Sequence, residues 1–213
     1  MLHNDQPLQQ GPHAPLPGTD TPQRALFIDR WGTLLERPKK GWCARFKDAE
    51  FTPGALEALF RAYQAGWAIY LIGNEESVAL GRISESTWNR FESDLLKHLS
   101  SYGIVVKRCY ACLDDPRNGK TPHNKDSVFL LPNTGAMYHA LQHDGTNLER
   151  SWIIGDSTIE LAAGWRAGCR IAAVRSGEGL ADDSLDVQPE LWGDSLSEVI
   201  YELVEMCEEK ARA

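Results

Sequence analysis

No apolar run in the 213-residue chain approaches the roughly 20 residues that a membrane-spanning helix needs. The N-terminus also lacks the charged-then-apolar order of a secretory signal. Basic residues are in the minority, 22 Lys and Arg against 30 Asp and Glu, for a net charge of −8. That balance argues against nucleic acid or an anionic membrane as a partner. Cysteine is sparse and odd in number: Cys43, Cys109, Cys112, Cys169 and Cys207 are scattered along the chain. They read as reduced thiols in a cytoplasmic protein rather than as a disulfide framework. There is no internal repeat.

What remains is an ordinary globular composition, 42% apolar and 24% charged, and a clear division of the chain. Residues 1–23, "MLHNDQPLQQGPHAPLPGTDTPQ", are rich in Pro, Gly and Gln with little apolar pattern, and are expected to form a disordered leader. Residues 24–213 are expected to form one domain. Within it short apolar runs alternate with amphipathic segments. Strands are expected at 25–29, 67–73, 104–112, 151–156 and 170–177. Helices are expected at 52–66 (Thr52 as cap, Pro53 at the first position), 84–103, 135–143, 158–168 and 194–213 (Asp194 or Ser195 as cap). Residues 113–134 are a long polar loop.

Repeated βαβ units imply an α/β fold with a central parallel sheet of about five strands and helices on both faces. Ligands of such sheets sit beyond the carboxyl ends of the strands. Asp29, the "GNEES" turn (73–77), the 113–134 loop and Asp156 all follow strands and should gather at that edge.

These residues resemble the haloacid dehalogenase (HAD) superfamily, and more narrowly its small phosphatases acting on heptose bisphosphate and histidinol phosphate. The carriers are "FIDRWGTLLE", "FTPGALEAL", "LIGNEESVALGRISE", "CYACLDDP", "LLPNTGAMYHAL" and "IIGDSTIELAAGWRAGCR", over about residues 25–205. The resemblance implies a Rossmann-like HAD fold, and the short stretch between Leu34 and Phe51 leaves no room for a large cap. In the family the first strand ends DxDGx, where the first Asp attacks phosphate and the second acts as acid and base. Asp29 matches the nucleophile, whereas Trp31 stands at the acid/base position. A positioned acid/base contributes about 10²–10⁴ in rate, which an indole N–H cannot supply.

The second motif, a Thr or Ser in a TNQSG-like turn, reads Gly73-Asn74-Glu75-Glu76 here. The resemblance assigns Asn74, together with Arg30, to phosphate binding. Two added carboxylates would oppose a phosphate at roughly 2–3 kcal/mol each, for ~6 Å and an effective dielectric of ~20, unless they point outward. The third motif's cation falls in "LLPNTGAM", which puts Leu130 and Leu131 at its two basic positions. Charge stabilisation is usually the largest catalytic contribution, so this is the heaviest loss. Lys120 and Lys125 are the nearest alternatives. The fourth motif, GDxxxD, reads "GDSTIE". The resemblance then implies magnesium held by Asp29, the Trp31 carbonyl, Asp156 and Glu160.

Relatives often carry a zinc loop, but a lone Cys109-x-x-Cys112 with Asp114 and His123 nearby argues against zinc. The expectation is therefore a phosphatase-like protein with weak or lost phosphomonoester hydrolysis, a pseudoenzyme that binds a small phosphorylated molecule or a protein partner. One alternative is an active magnesium-dependent sugar-phosphate phosphatase with a rearranged proton relay. The other is dehalogenase-like chemistry at Asp29, suggested by "DRWGTL".

Overall fold

A computed structural model of the chain describes residues 23–212. The expected leader lies outside the described residues except for Gln23, which bridges to Thr146. Six strands form one sheet: β1 (Ala25–Asp29), β2 (Ala68–Asn74), β3 (Val106–Cys112), β4 (Trp152–Gly155), β5 (Arg170–Val174) and β6 (Leu191–Gly193). Their order is β3-β2-β1-β4-β5-β6 and every pairing is parallel. The sixth strand went unseen in the sequence because three residues, "LWG", carry no period of their own.

The helices are α1 (Ala55–Gln64), α2 (Glu76–Ala79), α3 (Glu85–Ser101), α4 (Gly135–Asp144), α5 (Thr158–Arg166) and α6 (Leu196–Arg212). Alternate residues of each strand serve opposite faces. Leu26, Ile28, Ile69, Leu71 and Ile154 join the core under α1, α3 and α6. Phe27, Tyr70, Ile72, Ile153 and Ile171 join the second core, with Met137 of α4 and Leu161 of α5. Covering both faces explains why β1, up to its terminal Asp29, and β4 are continuously apolar rather than alternating.

One boundary differs from expectation for a physical reason. Thr52 does not cap α1; Gly54 holds that position at φ 72° with no side-chain cap. The Thr52 hydroxyl instead donates to the Thr33 carbonyl at 2.7 Å and is buried. It pins the chain entering α1 to the turn that follows Asp29, where its bond is shielded from water.

Sheet order determines where a ligand can sit. Connections leave β1 in one direction and β4 in the other, so the crevice opens between their carboxyl ends, the usual binding place of doubly wound sheets. Asp29 ends β1 and Asp156 directly follows β4.

Candidate active site and cation centre

Asp29, Asp156 and Glu160 converge at that switch point, with one carboxylate oxygen from each within 4.8 Å of the others. It is the one such group of three acidic, His or Cys side chains among the described residues. Glu160 arrives from the first turn of α5, which Ser157 caps by accepting from the Ile159 N–H at 3.3 Å. The Ser157 hydroxyl also donates to Glu160. Asp182 holds the same helix end, accepting from the Thr158 N–H at 2.9 Å.

Crowding of carboxyls out of water shifts the protonation of Asp29 and Glu160. Burial first, then the charges of Glu160 and Asp156, raise the Asp29 carboxyl well above its ordinary range; Arg30 and Arg37 oppose the rise. Burial also pushes Glu160 up to about 7, against the Ser157 hydrogen bond. Asp156 Oδ1 is buried and has no hydrogen-bond partner. An orphaned carboxylate oxygen on a side chain clustered with two other carboxylates suits a hard divalent cation, so the residues fit magnesium. The turn after β1 sends its backbone bonds to the carbonyls of Asp29 and Arg30 and not to that of Trp31. That leaves the fourth expected ligand unspent.

The phosphate-binding expectations meet different geometry. Asn74 uses both ends of its amide on the Leu131 backbone, donating at 3.1 Å and accepting at 2.9 Å. It clasps the "LLP" segment to β2 with its amide oxygen and one of its two amide hydrogens. Arg30 is fully buried, lies 5.0 Å over the Trp88 ring and donates to the Gly73 carbonyl at 3.0 Å. It works as an interior cation beneath α3 rather than as a contact in the crevice. Leu131 is buried at the cation position and Leu130 is half-buried. Neither lysine compensates: Lys120 rests its stem on Gly81, and Lys125 faces Asp114 at 3.8 Å.

The two glutamates of "GNEES" divide. Glu76 is exposed, while Glu75 turns inward. Glu75 accepts from the Trp31 indole N–H at 3.1 Å and from the Ser77 hydroxyl. Trp31 leans on Phe91 of α3, with ring centroids 5.5 Å apart. The indole is therefore committed to the wall, with its one donor occupied. In the loop below, His123 Nδ1 lies 3.1 Å from Asp114 Oδ1, and the Cys112 thiol donates to the Asp114 carbonyl.

Two residues absent from the sequence reading belong to the site. Arg37 donates from Nε and Nη2 to Asp156 Oδ2 at 3.1 and 3.0 Å. The Glu178 backbone N–H donates to the same oxygen at 2.7 Å, on a loop where Gly177 packs against it. Arg37 sits in "ERPKKGW", where nothing in the spacing separates it from its lysine neighbours. The "SGEG" after β5 was a usable signal, since paired glycines at a strand's carboxyl end mark close backbone approach.

Comparison with known proteins agrees with this geometry. A family model described as HAD-hydrolase-like matches residues 131–199. A D-glycero-D-manno-heptose-1,7-bisphosphate 7-phosphatase of Chlorobaculum tepidum is 28% identical over 189 residues, 85% of this chain and 92% of that one. Its namesake in Thermosynechococcus vestitus is 29% identical over 162 residues, 74% of this chain and 82% of that one. Among solved structures, a D,D-heptose 1,7-bisphosphate phosphatase from B. bronchiseptica, complexed with magnesium and phosphate, superposes with a TM-score of 0.74. That match shares 23% identity and covers 85% of this chain and 99% of the other, a likeness of fold. In motif order, sequence and sheet topology the chain is thus similar to HAD-like hydrolases, and among them to relatives named as heptose-bisphosphate phosphatases.

Proposed function

We propose that the chain is a magnesium-binding HAD-fold protein in which phosphomonoester hydrolysis is weak or lost, and which binds a small phosphorylated molecule in the crevice between β1 and β4. One observation carries the reading: Trp31 stands where the proton donor is required, with its N–H committed to Glu75. Asp29 keeps the attacking carboxylate. Asp156 Oδ1, Glu160 and the Trp31 carbonyl would hold the cation beside it. When bound, magnesium would neutralise charge on phosphoryl oxygens and favour the ionised forms of Asp29 and Glu160. The chain's own residues do the rest incompletely. An indole nitrogen keeps its proton, so an alkoxide leaving group would depart uncapped. Leu131 offers a phosphate no charge. Five unpaired cysteines support the cytoplasmic setting, and the unbroken sheet supports a single domain over 24–213.

The test is phosphate release from heptose 1,7-bisphosphate or another sugar phosphate with magnesium, measured beside Asp29→Asn. The expected result is no turnover above that variant. A sugar-phosphate rate abolished by Asp29→Asn would favour the second reading, an active phosphatase with a rearranged relay. The observation on that side is Arg37, which brings positive charge to Asp156 and Asp29 from an unexpected direction.

A further inference from the structure

The two oxygens of Asp156 have opposite surroundings. Oδ2 takes three donors, Arg37 Nε, Arg37 Nη2 and the Glu178 N–H, at 3.1, 3.0 and 2.7 Å. Oδ1, equally buried, takes none. The carboxylate is also confined. A Cβ at Gly32 would come within 2.2 Å of Oδ2 and one at Gly177 within 2.0 Å, so bare backbone closes on it from both sides. Arg37 Nη1 continues to Glu178 Oε1 at 2.8 Å. One guanidinium thus joins the loop after β1, the end of β4 and the loop after β5. Its partner Asp156 is fully buried while Arg37 keeps 41% of its side chain exposed. An exposed pair would contribute little; here the acceptor is dry and the contact two-pronged on a single oxygen, so geometry is what the arginine supplies.

We infer that Arg37 is a positioning residue of the cation centre, fixing Asp156 through Oδ2 so that Oδ1 faces Asp29 and Glu160. The inference rests on the cation-site reading above and deepens it. Arg37 has two opposite effects on a divalent cation. Its charge repels the ion, whereas its hold on Asp156 keeps a ligand oxygen in place. If charge dominated, removing Arg37 would tighten magnesium binding. If orientation dominates, removal weakens it, by the ~10–100-fold typical of partners that orient metal ligands. The sign separates the two. The chain places all three Arg37 nitrogens on Asp156 and Glu178, which is the arrangement of a clamp.

The experiment is calorimetric titration of magnesium into the folded full chain, with Arg37→Ala, Arg37→Lys and Asp156→Asn alongside, each checked by circular dichroism. Wild type should bind and Asp156→Asn should not. Arg37→Ala should bind ~10–100-fold more weakly. Arg37→Lys keeps the charge without the planar fork, and should remain several-fold weaker than wild type. Arg37→Ala binding as tightly as wild type, or more tightly, overturns the inference while leaving the cation site standing. Arg37→Lys indistinguishable from wild type overturns it as well, because charge alone would then suffice. A wild type that takes up no magnesium overturns the cation-site reading itself, and the inference with it. If Arg37→Ala does not fold, the lysine variant carries the test alone.

Discussion

Gly73 stands where the resemblance places a hydroxyl residue, and its neighbours leave little room for a side chain. A Cβ there would lie 2.7 Å from Asp29 Oδ1 and 3.3 Å from an Arg30 nitrogen, at a φ of +141°. Asp29 leans into the room that glycine leaves. Restoring the family's residue as Gly73→Ser should therefore cost about 1–3 kcal/mol, from backbone strain and a displaced Asp29. The expected shift is a fall of several degrees in melting temperature. The converse substitution addresses the missing donor. Trp31→Asp returns a carboxyl to the acid/base position beside an intact Asp29. It should raise magnesium-dependent sugar-phosphate hydrolysis at least tenfold, toward the ~10²–10⁴ that a positioned acid/base contributes. No gain, with the variant folded, would mean that charge at Leu131 and not proton transfer is limiting. At this scale the sequence was informative about identities and poor on directions. Asp29, Asp156 and Glu160 were legible because strand ends and a GD turn announce them. Asn74 and Arg30 also bond to the Leu131 backbone and the Gly73 carbonyl, contacts that the motif did not announce because it specifies position along the chain and not the rotamer.

At the scale of elements, the edge of the sheet is tied by Asp144, the last residue of α4. It accepts from Arg108 of β3 at two oxygens, both 2.9 Å, and from the Tyr70 hydroxyl of β2 at 3.0 Å. Burial alone would push this carboxyl up, but the hydrogen bonds from Arg108 and Tyr70 outweigh it and hold the group below its ordinary range. A depressed carboxylate contributes stability that is complete above the unfolded value, near 4, and is lost as pH falls through the folded value. Asp144→Asn should therefore lower the melting temperature by a few degrees at neutral pH, about 1 kcal/mol for a half-exposed pair. The difference between variant and wild type should close as pH drops below about 4. A gap that persisted under acid conditions would show packing rather than charge at work. Elements were legible to within a few residues wherever an apolar period existed. The three-residue β6 and the four-residue α2 carry none. Thr52, in turn, has the chemistry of a cap and yet is drawn into a buried bond with Thr33.

For the whole molecule, strand order made the site. With β1 and β4 adjacent at the centre of the sheet, two acids separated by 127 positions, Asp29 and Asp156, face one crevice. The sequence implied parallel strands and a shared edge through its alternation of elements, which is why the meeting of Asp29, Asp156 and Glu160 could be anticipated. It could not show that loops after β1 and β5 would meet over Asp156 through Arg37 and Glu178, because that contact depends on tertiary geometry and has no spacing signature. Magnesium should stabilise the folded chain as a whole: a ligand at about 100 times its Kd adds about 2.7 kcal/mol. Scanning calorimetry should show a rise in melting temperature that Asp156→Asn removes.

The most direct test compares leaving groups under saturating magnesium: p-nitrophenyl phosphate, whose phenolate departs without a proton, against a sugar phosphate, whose alkoxide needs one. A site with its nucleophile and cation ligands but no donor should cleave the aryl ester detectably above Asp29→Asn and leave the sugar phosphate at the level of that variant. Comparable hydrolysis of both, abolished by Asp29→Asn, would contradict the account by showing that a proton donor is in place.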